Sequence, residues 1–326
     1  MESGTSAANA AIGETADNGR NELTSLFDSV AESFESGASY PAMVRLVEGL
    51  ADIRERQCEA SWVEEAKEVA KRHPVSKYVF DCPFTRHSAA QPRGYPGDAQ
   101  LIDFIYRHPA SGASEQDTTD FGRNLLLHNV DSPAPAAVRA RRHLMASYIV
   151  DLVSKRGEAD IMSVACGHAR ELELIPAKVA RGIRRFVAVD QDASSLAVAG
   201  SYRSKGIPVE PVQSTILQLM RAKTLHGFDL IFSAGLYDYL SDRLTQKLTA
   251  SLFARLKSGG RLILANFLPD IRDAGYMEIF MDWRLIYREE REIRAFAAKI
   301  PREHIAATKY FTEPNRNVGF LEITRR

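Results

Sequence analysis

The chain has 326 residues, which is enough for one large domain or two domains of modest size. Hydrophobic residues make up 45% of it and charged residues 26%, which is ordinary for a globular protein with a buried core. The 42 basic and 42 acidic residues balance, and the lack of a basic excess argues against a protein that binds nucleic acid through its phosphates.

Cysteine content and hydropathy narrow the class of protein further. Cys58, Cys82 and Cys166 are far apart and show no CxxC spacing, which argues against a disulfide framework and against a metal site. No run approaches the ~18 apolar residues that span a bilayer, so we expect no membrane partner. The N-terminus also lacks the basic and apolar segments of a secretory signal, and these features predict a cytoplasmic protein.

The first part of the chain predicts helices. Residues 1–20 are rich in small and polar side chains, so we expect a flexible tail there. Between residues 22 and 72, apolar side chains recur at the i, i+3, i+4, i+7 spacing of amphipathic helices. Asp98 is placed to cap a further helix. The sequence therefore predicts a helical lid or substrate domain over residues 21–145, which is also a candidate homodimer face.

A helical block over residues 134–156 holds the densest basic cluster of the chain, at Arg139, Arg141 and Arg142. Lysine and arginine side chains are almost never fully buried unless they are paired. We therefore expect these three side chains to form a solvated helix face, in preference to a phosphate site.

From residue 159 onward, short apolar runs alternate with helical segments. The runs IMSVA, RFVAVD, DLIFSAG and RLILANF predict parallel strands that are buried on both faces. Alternating strands and helices form right-handed βαβ units and a doubly wound sheet. HIAATKYF and NVGFLEITRR flank the turn-forming TEPNRN and predict a terminal antiparallel hairpin. The predicted fold class is α/β, with a Rossmann-like sheet over residues 146–326.

The ends of these strands hold a candidate nucleoside site, because ligands of an open parallel sheet bind beyond its carboxyl edge. Gly167 follows the first strand, where the missing side chain lets a ligand approach the next helix N-terminus. Asp190 ends the second strand, where a carboxylate can accept hydrogen bonds from both hydroxyls of a ribose. A dinucleotide site would show GxGxxG, so the single glycine of CGHAR favours an adenosine ligand without a pyrophosphate.

In these features residues 145–326 resemble the class I S-adenosylmethionine-dependent methyltransferases. Gly167 matches the glycine motif of that family, Asp190 its ribose acid, and LKSGGRLILANF its late strand. The family usually has an acidic residue early in the first strand and GxGxG after it. This chain has Ser163 and CGHAR at these places. The resemblance implies a seven-stranded sheet and S-adenosyl-L-methionine as cofactor, with Glu171 as a candidate for the methionine amino end. The candidate cofactor-binding residues along the strand ends are Ala165, Cys166, Gly167, Glu171, Asp190, Gln191, Ser214, Thr215, Ala234 and Gly235.

Three further segments resemble the 3-hydroxypalmitic acid methyl ester biosynthesis family. They are PRGYPGDAQLIDFIYR at 92–107, the Arg170–Glu171 pair after the glycine turn, and MEIFMDWRLIYR at 277–288, which reads as a helix. The first segment adds Arg93, Tyr95 and Asp98 as cofactor-binding candidates in a lid, although a plain turn and helix cap would explain them equally well. The candidate catalytic residues, for which packing or solvated charge is the alternative, are Tyr237, Asp238, Asp282, Tyr287 and Arg288.

The resemblance implies methylation of a small molecule, namely carboxyl O-methylation of a carboxylic or hydroxy fatty acid. A carboxylate is already ionised at neutral pH and needs positioning but no general base. Two alternatives remain open at this point: N- or S-methylation of an amino-acid-like metabolite, and a protein that binds S-adenosylmethionine without turnover.

Overall fold

The computed structural model describes residues 3–57, 59–114 and 118–326, which form two compact units. The first unit is Met1–Pro135 with Ile271–Arg284, and the second is Ala136–Asp270 with Leu285–Arg326. The sequence places the boundary ten residues later and assigns 271–284 to the sheet domain. No helix in the described part of the chain is long and apolar enough to cross a membrane.

The α-helices and strands alternate only in the second half of the chain. The α-helices are α1 (Ser3–Glu35), α2 (Ser39–Arg56), α3 (Glu59–Arg72), α4 (Val75–Val79), α5 (Pro83–Ala90), α6 (Ala99–Ile105), α7 (Asp120–Asp131), α8 (Pro133–Arg156), α9 (Ala177–Ala180), α10 (Ala193–Ser201), α11 (Ile216–Arg221), α12 (Asp242–Phe253), α13 (Ala274–Phe280) and α14 (Glu290–Arg294). The strands are β1 (Ala159–Val164), β2 (Ile183–Asp190), β3 (Val209–Gln213), β4 (Phe228–Ser233), β5 (Leu256–Phe267), β6 (Ile305–Thr312) and β7 (Val318–Arg325).

Helix α1 begins at Ser3, where the sequence predicts a flexible tail over residues 1–20. The flexible tail is predicted from the small and polar side chains of this segment. The same segment is also rich in alanine, the residue with the highest helix propensity. Further along the helix, Phe27 and Val30 are fully buried. The buried side chains of Phe27 and Val30 thus anchor a helix that the alanine-rich sequence can extend toward the N-terminus. Residues 1–2 lie outside the described residues.

Helix α13 explains why residues 271–284 belong to the first unit. All seven of its residues are buried, and it packs against α2 and α3. The Glu278 carboxylate accepts hydrogen bonds from Arg54 Nε at 2.8 Å, from Arg54 Nη2 at 2.9 Å and from Trp62 Nε1 at 3.2 Å. The helix predicted over 277–288 is wrong beyond Phe280, since Asp282 has a left-handed φ of 48° that interrupts it.

The second unit contains the seven-stranded sheet, in the order β3-β2-β1-β4-β5-β7-β6. Strands β1 to β5 are parallel, and β7 runs antiparallel to both β5 and β6, so the predicted terminal hairpin is confirmed. Every residue of β1 and β4 is buried. Edge strand β3 lacks an apolar run in the sequence, because it is half exposed and contains Pro211, which edge strands tolerate.

Replacing Glu278 with alanine is expected to destabilise the protein by about 3 kcal/mol, because it removes a buried carboxylate that accepts hydrogen bonds from the Arg54 guanidinium and the Trp62 indole N–H. Urea unfolding followed by circular dichroism measures the change. Glu290→Ala is the matched control, because the exposed Glu290–Arg294 pair on α14 contributes less than about 0.5 kcal/mol. Equal effects of the two substitutions would contradict the assignment of Glu278 as a buried anchor.

Candidate active site

The turn after β1 contains three alternating residues in the left-handed region. The φ angles of Ala165, Gly167 and Ala169 are 53°, 53° and 49°. Left-handed backbone costs a non-glycine residue about 1–2 kcal/mol, so such positions favour glycine. The turn thus follows the backbone path of a three-glycine motif, with alanine at two of the three positions.

Asp190 fixes this turn against the end of β2. Its Oδ2 accepts a hydrogen bond from the Gly167 N–H at 2.8 Å, and its Oδ1 accepts one from the Asp192 N–H at 3.0 Å. Nearby, the Cys166 N–H donates to the Val189 carbonyl at 3.0 Å and continues the β1–β2 ladder. A carboxylate has about four lone-pair sites. Asp190 therefore keeps acceptor capacity for two hydroxyl groups of a ligand beyond the strand ends.

The other predicted cofactor residues in the second unit follow the ends of β2, β3 and β4. Ser214 donates its backbone N–H to the Asp190 carbonyl at 2.8 Å, and Thr215 forms the capping box of α11 with Gln218. Gln191 accepts a hydrogen bond from the Gln213 side chain at 3.2 Å through its carbonyl oxygen. These contacts hold the loop backbones in place, and the roles of the residues toward a cofactor stay predictions.

Glu171 is a buried carboxyl group in the short 3₁₀ turn after the Ala169 position. Burial raises its pKa to about 7, against the opposing effect of the positive charges of Arg142 and Arg141. Among the described residues, no group donates a hydrogen bond to its Oε1. A buried acceptor without a donor costs roughly 1–3 kcal/mol, more when it is charged. Glu171 is therefore suited to receive a positively charged donor from a ligand.

The basic cluster of α8 does not form the solvated helix face that the sequence predicts, because Arg141 is buried. Arg142 donates to the Arg170 carbonyl at 3.0 Å and to Glu173 at 2.8 Å. Arg141 is 7% exposed, and its guanidinium lies against Gly235, where an added Cβ would be 3.3 Å from Nη2. Sequence reasoning missed Arg141 because charge on a helix usually faces water, and only the packing of α8 on the strand ends puts it inside.

Two residues of the predicted catalytic set are part of the protein core. Tyr237 is fully buried, its hydroxyl is hydrogen-bonded to Thr249 Oγ1 at 2.9 Å, and its ring packs on Phe296. Arg288 donates to the carbonyls of Tyr237 and Leu240, to Asn266 Oδ1 at 2.8 Å and to Asp242. Four of the five guanidinium N–H groups donate hydrogen bonds in these contacts, and the side chain is buried, which indicates that Arg288 has a packing role in the core.

Asp238 is buried next to these residues, and its Oδ1 accepts a hydrogen bond from the Phe267 N–H at 2.7 Å. Burial raises its pKa to about 6, and the Phe267 N–H together with the charges of Arg141 and Arg288 opposes the rise. Burial also raises the pKa of Cys166, with the Asp190 and Glu171 carboxylates adding to the effect. Cys166 is therefore a neutral thiol at physiological pH and unsuited to act as a nucleophile.

The remaining predicted residues are divided between the two units. Arg93, Tyr95, Asp98 and Asp282 belong to the first unit, and Tyr287 belongs to the second. Asp98 caps α6 by accepting from two backbone N–H groups, as the sequence predicts, and also pairs with His87. Asp282 pairs with Lys67 and accepts from the Gln91 side chain at 3.0 Å.

Within the described ranges, no three His, Cys, Asp or Glu side chains come together as a metal site would require.

Comparison with known proteins gives two informative similarities, and no family model matches the chain. The chain is 26% identical over 141 residues to the ribosomal protein L11 methyltransferase of Desulfotalea psychrophila, which is 43% of this chain and 44% of that protein. It thus spans less than half the length of this curated relative. A possible exported protein from Bordetella parapertussis is similar over 88% of this chain and 96% of its own, with a TM-score of 0.60 and 17% identity.

A third structure is an S-adenosylmethionine-dependent methyltransferase from Clostridium acetobutylicum. It is 15% identical, covers 62% of this chain and 98% of its own, and has a TM-score of 0.42. The Bordetella structure bears on the fold alone, and the Clostridium similarity is too low for any inference.

Replacing Ala165 with glycine is expected to raise the free energy of unfolding by about 0.5–1 kcal/mol. It removes a left-handed alanine, and the greater entropy of unfolded glycine offsets part of the gain. Ala197→Gly on the exposed face of α10 is the control and is expected to lower stability by about 1 kcal/mol. A loss of stability in Ala165→Gly would show that the left-handed alanine carries no strain.

The raised pKa of Glu171 predicts a pH-dependent stability of the ligand-free protein. The native state holds the Glu171 proton up to about pH 7 and the unfolded state releases it near 4.5, so the native state binds more protons in this window. Stability is therefore lost as the pH rises from 4.5 through 7, by about 3 kcal/mol in total. Arg142, Arg141 and Glu173 are the charged groups that act on this carboxyl.

Urea unfolding at pH 5, 6, 7 and 8 tests this dependence, with Glu171→Gln as the comparison. The glutamine variant does not titrate, so its stability relative to wild type is expected to increase from pH 5 to about pH 7 and to level off by pH 8. Parallel pH profiles of the two proteins would contradict the raised pKa.

Proposed function

We propose that this chain is an S-adenosylmethionine-dependent methyltransferase that acts on a small molecule. The observation that carries the proposal is the Asp190 carboxylate, which is bonded to the left-handed turn after β1 at the carboxyl edge of a 3-2-1-4-5-7-6 sheet. In such a sheet this edge is where ligands bind, and an acid at this point suits a ribose. The 141-residue similarity to a ribosomal protein L11 methyltransferase supports methyl transfer but not the small-molecule acceptor.

The residues at this edge fit the proposed cofactor. Asp190 has acceptor capacity for the ribose hydroxyls, and Glu171 offers a buried carboxylate oxygen to an ammonium group. Gly235 leaves the end of β4 without a side chain. When bound, the cofactor supplies a methyl group already activated by the positive sulfonium.

The main task of the protein is then to position the acceptor and the methyl group, and proton transfer is less important. Direct displacement requires acceptor atom, methyl carbon and sulfur in line, and holding reactants in such an arrangement can lower a barrier by about 7–11 kcal/mol. Asp190 and Glu171 would hold two ends of the cofactor, and both carboxyl groups are buried. Electrostatic contacts are stronger at a buried site than in bulk water. Asp238 lies in the short 3₁₀ turn after β4, and its elevated pKa lets it hold a proton in mildly acidic conditions.

We propose carboxyl O-methylation of a carboxylic or hydroxy fatty acid as the specific reaction. Its support is the resemblance of the 92–107 and 277–288 segments to the 3-hydroxypalmitic acid methyl ester family. The contacts of Glu278, Asp282 and Arg288 indicate that the second segment is similar because of packing, so the acceptor assignment depends on the first. N- or S-methylation of an amino-acid-like metabolite is the alternative acceptor chemistry. A cytoplasmic location and a homodimer stay predictions.

Calorimetric titration with S-adenosylhomocysteine tests the cofactor assignment. Wild type is expected to bind at micromolar concentration and Asp190→Asn about 30-fold more weakly, since the amide loses a charge-assisted acceptor for the ribose. Asp229→Asn, at the opposite ends of the strands, is the matched control and is expected to bind like wild type. Absence of binding to wild type at millimolar ligand would remove the methyltransferase proposal.

Product chemistry then separates the acceptor classes. Protein incubated with cofactor carrying a tritiated methyl group and a panel of acids, amines and thioethers is expected to yield a product that releases volatile tritiated methanol in mild base. Methyl esters hydrolyse under these conditions, whereas N-methyl and S-methyl groups are retained. Label that stays non-volatile would favour the amino-acid-like acceptor, and no transfer to any acceptor would favour a binding protein without turnover.

A further inference from the structure

The segments that lead into the strands carry a large excess of positive charge. They lie where β1 to β6 begin, on one side of the sheet, and form a surface that we call the amino edge, which consists of residues 154–160, 176–185, 203–210, 221–229, 254–261 and 299–305. Eleven exposed Lys and Arg side chains occur there, against three exposed acids. In the order of their strands from β3 to β6, the basic residues are Arg203, Lys205, Lys178, Arg181, Arg184, Lys155, Arg156, Arg221, Lys223, Lys299 and Arg302.

The opposite side of the sheet, where the parallel strands end, has no such excess. Its connecting loops within the second unit expose five acids and three bases, which are Asp242, Asp270, Glu289, Glu290 and Glu292, and Arg243, Arg291 and Arg316. The net charge of zero for the whole chain therefore conceals a separation of charge within the second unit. A balanced net charge does not argue against a nucleic-acid partner when one surface is strongly basic by itself.

Most cations of the amino edge are not used to hold the fold together. Arg156 and Arg184 pair with the buried carboxylates of Asp229 and Asp160, and Lys155 pairs with an acid of its own helix. Among the residues that the structure describes, the other eight cations form no ion pair with a carboxylate. These eight positive charges are therefore available to a ligand.

Stabilisation of helix C-termini accounts for only part of this charge. Cations are favoured in the last turn of a helix, and Lys178 and Arg221 occupy that position in α9 and α11. Lys223 lies beyond α11, and Arg302 begins a 3₁₀ turn before β6. Mutual repulsion of unpaired like charges disfavours the folded state. Their accumulation on one surface is explained if that surface binds an extended anion.

The other side chains of the amino edge indicate the kind of anion. Among the described residues, the large hydrophobic side chains that are exposed all lie elsewhere, at Tyr40, Val44, Leu127, Leu217, Tyr239 and Ile286. Protein interfaces have an apolar centre, membrane-surface helices insert apolar side chains, and proteins that bind single strands stack bases on aromatic rings. A surface of Lys, Arg and small hydroxyl side chains suits the phosphates of a nucleic-acid duplex.

The dimensions of the amino edge fit such a duplex. Seven strands at the usual spacing give an edge about 29 Å wide, and a duplex of this length carries roughly 17 phosphate charges. Ser154, Thr224 and Ser258 are exposed among the cations. Their hydroxyl groups can contact the 2′-hydroxyls of RNA, which DNA lacks.

We propose that the amino edge binds duplex RNA through its phosphate backbone, without reading the base sequence. Arginine and lysine side chains along the edge contact successive phosphates, and the hydroxyl side chains between them contact the ribose. The surface lies at the opposite edge of the sheet from Asp190, so this binding does not depend on the proposed cofactor.

Fluorescence anisotropy of the full-length protein with a labelled RNA duplex of about 20 base pairs tests the proposal, without cofactor and between about 50 and 200 mM salt. Wild type is expected to bind at micromolar concentration, and log K is expected to fall with log salt with a slope of about −5, as for six phosphate contacts. A duplex of unrelated sequence is expected to bind equally.

Two triple variants that lose the same charge locate the binding surface. Arg181→Gln/Lys223→Gln/Arg302→Gln removes three exposed, unpaired cations from the amino edge and is expected to bind RNA at least about tenfold more weakly, with the salt slope reduced by about 3. The matched control, Arg243→Gln/Arg291→Gln/Arg316→Gln, removes three exposed cations from the opposite side and is expected to bind within about twofold of wild type.

Thermal unfolding followed by circular dichroism checks that the variants fold. Both triples are expected to melt like wild type, because exposed charges contribute little to stability. If the amino-edge triple does not fold, Lys178→Gln/Lys205→Gln provides the comparison, with a salt slope reduced by about 2.

Four results would overturn the proposal. Wild type that does not bind RNA at low salt, or equal loss of binding in the two triples, would show that the amino edge is not an RNA surface. Equal affinity for a DNA duplex of the same sequence would remove the preference for RNA. Displacement of RNA by poly-glutamate at equal charge would assign the surface to acidic protein, and tighter binding to phosphatidylserine vesicles than to RNA would assign it to a membrane.

Discussion

The site depends on one carboxylate. Asp190 accepts from the Gly167 N–H at 2.8 Å and from the Asp192 N–H at 3.0 Å, which fixes the turn after β1 against the end of β2. The turn needs this restraint, because Ala165 and Ala169 are held in left-handed backbone without the freedom of glycine. A carboxylate that positions two loops and still has lone pairs for a ligand links the stability of the turn to binding.

Buried charge near the strand ends is distributed unevenly. Glu173 is surrounded by hydrogen-bond donors, including Arg142 and Arg170, and this cluster holds the turn in place. Glu171 is buried nearby, and its Oε1 has no donor among the described residues. Since unpartnered buried charge is unfavourable in a ligand-free protein, strain of this kind is more readily explained by ligand binding than by folding.

Resemblance between sequences does not by itself distinguish packing from chemistry. In the 277–288 segment, Glu278 anchors α13 by accepting hydrogen bonds from Arg54 and Trp62. Arg288 donates hydrogen bonds to loop carbonyls of the second unit. Arg288 looks like a substrate-binding candidate when only its type and position in the sequence are known. The buried hydrogen bonds of Glu278 and Arg288 indicate that both residues have a structural role.

The sequence by itself determined the sheet and the acid at its carboxyl edge. Buried strands β1, β2, β4 and β5 appear as apolar runs, the terminal hairpin as two runs around a turn, and Asp190 as an acid at a strand end, because these features depend on local pattern. It could not reveal edge strand β3, the return of residues 271–284 to the helical unit, or the burial of Arg141. Those features were decided by tertiary packing, which determines the side of a helix that faces the interior and the partners available to each buried charge.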